Sequence, residues 1–197
     1  TASRFFGEDV SDAALVAISG RYEFHNKGID LLLESMGRLN QRQGRRIVLF
    51  VLVPAGNSGL RSEYLERRDK PLDELEGPLG LSTHNLFEPE RDPVHERCAR
   101  LSLANAGDAR VRVIQVPIYL GANDGLWNLP YQAVLRAFDL SCFPSYYEPW
   151  GYTPQESLAV GVPTITSDYA GFGRWAKGVH LGPEQGVTVL ERVHKRF

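Results

Sequence analysis

Cysteine is scarce: Cys98 and Cys142 are the only two in 197 residues. They have neither the paired spacing of a disulfide framework nor the spacing of a zinc site, so a reducing, cytoplasmic setting is expected. Long hydrophobic runs are missing too. The longest, residues 47–53, is seven residues, far short of the roughly 20 that cross a bilayer as a helix. Charge of one sign is not in excess. The 22 Lys and Arg against 24 Asp and Glu leave a net charge of -2, without the basic bias that nucleic acid or an anionic membrane surface selects. Neither is expected as a partner. Asp-x-Asp and clustered His are absent, and no metal or other cofactor is expected. There is no internal repeat or low-complexity tract. The first residues, Thr1-Ala2-Ser3-Arg4-Phe5, lack the basic and apolar regions of a signal peptide. The chain does not open on Met, so the targeting of the full-length protein stays open.

What is present suffices for one globular domain over residues 1–197, since 43% of the residues are hydrophobic and 23% charged. Short β-branched runs alternate with amphipathic stretches. Residues 14–19 read as a strand. Ile29, Leu32, Leu33 and Met36 then recur at i, i+3, i+4 and i+7, the mark of a helix buried on one face. Residues 46–53 are apolar on both faces, as in a central parallel strand. Residues 54–90 break the rhythm with Gly, Pro and charge, and read as an irregular surface excursion with some helix. Asp92-Pro93 looks like an N-cap and first helical residue, opening a helix that runs toward residue 106. Residues 111–116, 140–144, 164–167 and 187–190 are further strands. A helical stripe starts at Tyr131, and a short helix over 154–160 stops at Gly161. The alternation predicts an α/β fold with a Rossmann-like, doubly wound parallel sheet. Ligands of such sheets bind at the carboxyl ends of the strands. That directs attention to loops 20–28, 117–131, 145–153 and 168–174.

Loop 145–153 carries Glu148, and Glu156 follows in the next helix. The Glu-x7-Glu spacing means nothing alone, because Glu66/Glu74 and Glu88/Glu96 share it. Context separates them: only Glu148 lies just past an apolar strand. Thr153-Pro154-Gln155-Glu156 also reads as a capping box, in which Glu156 only satisfies the Thr153 N–H. For Glu148 the plain alternative is a solvated loop carboxylate. Gly151 and the helix start behind it offer free N–H groups at a positive dipole end, suited to phosphate. In loop 20–28, Arg21 and Lys27 are either solvated cations or the fork and point charge that hold a diphosphate. His25 is given no role. Tyr131 is by default a core aromatic, placed so that it could also stack on a nucleobase. Residues 168–173 either let backbone approach a ligand or simply turn the chain.

These segments together resemble the C-terminal domain of the animal and fungal type of glycogen synthase, glycosyltransferase family 3. The resemblance is carried by Ser19-Gly20-Arg21-Tyr22-Glu23, by Asn26-Lys27-Gly28, by the run from Phe143 through Tyr146-Tyr147-Glu148-Pro149-Trp150-Gly151-Tyr152-Thr153-Pro154, and by Gly171-Phe172-Gly173. It spans residues 16–190 and is weakest over 56–108. It implies a two-domain GT-B enzyme whose amino-terminal domain, absent here, helps bind the glucan acceptor. The resemblance implies that Arg21 and Lys27 hold the diphosphate of UDP-glucose or ADP-glucose, and that Glu148 faces the transferring glucose. It further implies that Glu156 binds the ribose or supports the site and Tyr131 stacks on the base, with Trp150, Gly151, Tyr152 and Thr153 completing the substrate-binding loop. Glucose would pass with retention to the 4-hydroxyl of an α-1,4-glucan. Whether Glu148 forms a covalent bond stays open, as does the oligomeric state of the full-length protein, a homo-oligomer included. Two rivals also stand: a retaining GT-B transferase with another acceptor, and a nucleotide-binding module without catalysis.

Overall fold

The computed structural model describes residues 1–192. In chain order these form α1 (Ala2–Phe6), β1 (Ala14–Ser19), α2 (Ile29–Asn40), β2 (Ile47–Leu52), β3 (Asn57–Leu60) and α3 (Ser62–Arg67). Then come β4 (His84–Leu86), α4 (Pro93–Arg100), β5 (Val111–Val116), α5 (Tyr131–Leu135) and β6 (Leu140–Phe143). The described chain closes with α6 (Tyr152–Ala159), β7 (Thr164–Ser167), α7 (Gly171–Gly178) and β8 (Val187–Leu190). Six strands make one sheet in the order β5-β2-β1-β6-β7-β8, every pair parallel. The sheet winds outward in both directions from β1 and β6. The strand order reverses between those two strands, and ligands of such sheets bind at the carboxyl rim beside that switch point.

Strand parity sorts the core. Ala17, Phe50, Leu52, Ile114 and Val116 face one side, against Phe5, Phe6, Val134, Leu135 and Phe138. Val16, Ile18, Leu49, Val51 and Val113 face the other, against Ile29, Leu33, Met36, Val94 and Cys98 of α2 and α4. A sheet covered on both faces needs strands apolar at every position, which is how β2 and β5 read.

Several boundaries differ from expectation for local reasons. Helix α4 ends at Arg100 rather than near residue 106. Ser102 adopts φ 55, and Leu103 N–H reaches back to Cys98 O at 2.9 Å while Ser102 N–H bonds Ala99 O at 3.3 Å. This is a Schellman-type stop with Ser in the left-handed position, and it drops Leu103 into the core. The stripe after Tyr131 is helical only to Leu135 and continues as i→i+3 turns. Residues 54–90 hold the antiparallel pair β3–β4 and α3, and they bury Tyr64, Leu79, Thr83 and His84. The Gly-rich stretch at 171–173 is the first turn of a helix. Among the described residues, no helix is long and apolar enough to cross a membrane.

Candidate active site

Loops 20–28 and 144–151 leave the adjacent strands β1 and β6 and press together. Gly28, the N-cap of α2, has φ 71, and a Cβ there would lie 2.3 Å from Pro144 O. Asn26 O accepts Tyr146 N–H at 2.9 Å, and the His25 and Tyr146 rings stack 4.1 Å apart. The contact delivers Lys27 to Glu148. The ammonium Nζ lies 2.6 Å from Oε1 and 2.7 Å from Oε2, and the two side chains are only 14% and 18% exposed. This bidentate pair is held by two loops tied to each other, which keeps a cation and a carboxylate poised at one point. Desolvation strengthens such a pair and also makes either partner costly to leave alone.

Gly151 stands at φ 93 as the N-cap of α6, with no side-chain cap. A Cβ built on it would lie 3.4 Å from Glu148 Cγ, so the uncapped amino end of α6 opens beside the carboxylate. The positive dipole end of an eight-residue helix thus adjoins the ion pair. Because α6 begins at Tyr152, Thr153 sits inside its first turn and cannot cap it; the capping-box reading of Glu156 fails. Glu156 is half-buried and close enough for its charge to act on the Tyr131 phenol.

Tyr131 is anchored by a 2.6 Å hydrogen bond between its hydroxyl and Ser19 Oγ. Burial pushes its pKa up to about 12, a shift the Ser19 contact opposes and the Glu156 charge reinforces. Its ring lines an apolar cleft of ≈ 240 Å³ together with Ser19, Gly20, Leu52, Ile118 and Thr153. Gly20 joins this cleft to the ion pair, since a Cβ on it would stand 3.9 Å from Lys27 Cε. One rim therefore brings together Lys27, Glu148, Gly151, Thr153, Glu156 and Tyr131.

The other expected site residues lie elsewhere. Arg21 is 73% exposed and bonded to Glu23 at 2.9 Å. Tyr152 is 70% exposed. The Trp150 indole packs with Phe172 and Trp175 and donates to Gln155 Oε1 at 2.6 Å. The glycines of α7 allow close approach of neighbouring backbone. A Cβ on Gly171 would fall 2.2 Å from Pro149 O, and one on Gly173 2.1 Å from Ser167 O. The first two amides of α7 are spent on Glu148 O (3.0 Å) and Trp150 O (2.6 Å), which straps the Glu148 loop in place.

The family model for glycogen synthase matches residues 4–71 and 73–197. The chain belongs to the glycogen synthase family. Among its relatives, the glycogen [starch] synthase isoform 1 of Saccharomyces cerevisiae is 29% identical over 255 aligned positions, covering 96% of this chain and 36% of the yeast protein. The liver glycogen [starch] synthase of Rattus norvegicus is 30% identical, covering 95% and 35%. The chain spans about a third of the length of the curated relatives it matches. The fold also matches an α,α-trehalose-phosphate synthase (UDP-forming) of Burkholderia vietnamiensis, with TM-score 0.55, 13% identity and coverage of 92% of this chain and 34% of that one. At that identity the likeness shows the GT-B-type fold alone.

Sequence reasoning gave Tyr22 no role and read Asp92 only as the N-cap of a helix. Tyr22 and Asp92 meet at 2.8 Å. A clue lies in loop 20–28 itself, where two aromatics, Tyr22 and Phe24, alternate with polar residues. Nothing in the sequence pairs Tyr22 with a residue seventy positions away.

Proposed function

We propose that this chain is the donor-binding domain of a retaining glucosyltransferase that moves glucose from UDP-glucose or ADP-glucose to the 4-hydroxyl of an α-1,4-glucan. Family membership supports glycogen synthesis as the setting. A further, amino-terminal domain supplies much of the acceptor site. Cytoplasmic work is in keeping with two buried free thiols, Cys98 and Cys142.

The observation that carries the reading is the convergence of Lys27 and Glu148 beside the uncapped start of α6. Breaking a glycosyl–phosphate bond loads negative charge onto the leaving diphosphate, and fixed donors in a poorly hydrated site stabilise that charge without reorganising. Lys27 and the α6 amides fill that role, with Arg21 swinging from Glu23 to add a second cation. When a diphosphate draws Lys27 away, the Glu148 carboxylate is released toward the anomeric carbon, where it stabilises positive character on the sugar. The leaving group needs no metal in this scheme. The nucleobase lies in the apolar cleft over Tyr131, and Glu156 binds the ribose at its edge.

The test is kinetic and uses the full-length protein. Lys27→Ala and Arg21→Ala each lower kcat/KM for the sugar nucleotide at least about tenfold, equivalent to roughly 1.4 kcal/mol of transition-state stabilisation. Wild-type turnover in both variants rules the scheme out.

A further inference from the structure

Lys27 and Arg21 can serve a diphosphate only if the loop between them is held in register, and loop 20–28 is largely polar and has no strand or helix of its own. Several ties fix it. Gly28 is wedged against Pro144, and Asn26 O is bonded to Tyr146 N–H; both act at the loop's end, next to Lys27. Another acts at its start. The Tyr22 hydroxyl turns inward, donates to Asp92 Oδ2 at 2.8 Å and accepts Val94 N–H at 3.2 Å. Phe24 follows it inward onto the α2–α4 core, under the Arg97 guanidinium 5.6 Å from its ring centroid. Arg21 faces out, 73% exposed and paired with Glu23.

Asp92 is built to receive that hydroxyl. Its carboxylate is buried and caps α4 by accepting Val94 N–H at 3.0 Å and His95 N–H at 3.1 Å. The Gln115 side-chain amide donates to both of its oxygens, at 3.3 and 3.2 Å. Gln115 is itself fully buried, and its backbone holds residues 81–83 by bonds to Leu81 O (2.7 Å) and from Thr83 N–H (3.0 Å). The network thus joins the sheet edge at β5, the start of α4 and the start of loop 20–28. Burial, then the Asp92 hydrogen bond, raises the Tyr22 pKa, so the phenol stays a donor at every physiological pH. A hydroxyl with both a donor and an acceptor role in a buried site is costly to remove, because its partners are left unsatisfied.

We infer that Tyr22, held by Asp92 and Gln115, is a positioning residue for diphosphate binding: it sets the path of loop 20–28 so that Arg21 and Lys27 reach one anion. Tyr22 touches no substrate; it acts through its neighbours in the loop. The inference rests on the proposed donor site. Supporting hydrogen bonds of this kind hold charged groups within a fraction of an ångström of their target, and a small misplacement weakens binding by more than one hydrogen bond is worth.

Calorimetric titration with UDP tests this on four variants. Tyr22→Phe weakens UDP binding at least about fivefold. Asp92→Asn keeps an acceptor for the α4 amides but loses the one for Tyr22, and it produces a similar loss, which preserves the test if Tyr22→Phe fails to fold. Val187→Ala, at the amino end of β8 and away from the rim, lowers thermal stability yet leaves UDP affinity unchanged, so general destabilisation does not mimic the effect. Lys27→Ala reports on the donor site itself. If Lys27→Ala weakens binding while folded Tyr22→Phe and Asp92→Asn bind UDP as the wild type does, the positioning role is overturned. If Lys27→Ala also binds normally, the donor-site reading falls first and takes this inference with it.

Discussion

At Gly28 the chain has no room for a side chain and no comfortable way to carry one. Its φ of 71 costs an ordinary L-residue about 1–2 kcal/mol, and the Cβ would enter the Pro144 carbonyl. Backbone cannot give way as a flexible side chain can, so the two loops would have to part. Gly28→Ala is therefore expected to destabilise the protein by about 2 kcal/mol or more, and to separate Lys27 from Glu148. A thermal melt checks the first effect; an unchanged melting temperature would show that the two loops are not wedged together here. Arg21 makes the opposite point. It is exposed and engaged with Glu23, so its side chain has freedom to rotate toward an anion, whereas Lys27 is already fixed in place.

At the scale of elements, strands were the most readable features. The spans expected for β1, β5, β7 and β8 coincide with those observed, because apolar β-branched runs between turn residues admit few alternatives. Helix ends were legible only where a local signal sufficed. Asp92 caps α4 as its position before Pro93 implied, and Gly161, at φ 84, stops α6. The far end of α4 was not legible, since Ser102 adopts a left-handed conformation that its side chain does not announce. Nor was the start of α6: Thr153 and Glu156 fit a capping-box pattern, but a glycine two residues earlier starts the helix instead. Helix α7 was hidden for another reason. Gly171 and Gly173 weaken a helix in isolation, and only close contact with Pro149 and Ser167 makes their missing side chains necessary. As for the site, the order of motifs pointed to loops 20–28 and 145–153, while the side-chain partners within and beneath them depend on contacts between residues far apart in the chain.

At the scale of the whole molecule, a buried histidine, His84, and a half-buried one, His95, make stability depend on pH. Burial lowers the pKa of His84, against the opposing pull of Asp124, and likewise lowers that of His95, against Asp92. Both rings are then neutral in the fold where unfolded histidine, with a pKa of about 6.5, takes up a proton. The unfolded state binds more protons below that value, so stability is complete above it and is lost as pH falls toward the depressed folded values. The melting temperature should drop between pH 6.5 and 5.5, above the carboxylate range, and His84→Asn should reduce the drop. A flat profile in both proteins would mean that these rings are not kept neutral by burial. The same molecule presents its working surface at one place, the carboxyl rim of a sheet wound outward from β1 and β6, where a cation, a carboxylate and a helix amino end adjoin an apolar cleft. Isothermal titration of UDP and ADP against uridine and adenosine, in wild type and Lys27→Ala, isolates what the diphosphate gains there. The phosphates should strengthen binding to the wild type by at least about tenfold, and most of that gain should vanish without Lys27. Equal binding of nucleoside and nucleoside diphosphate to the wild type, or a phosphate gain that survives the loss of Lys27, would mean that this rim does not hold a diphosphate.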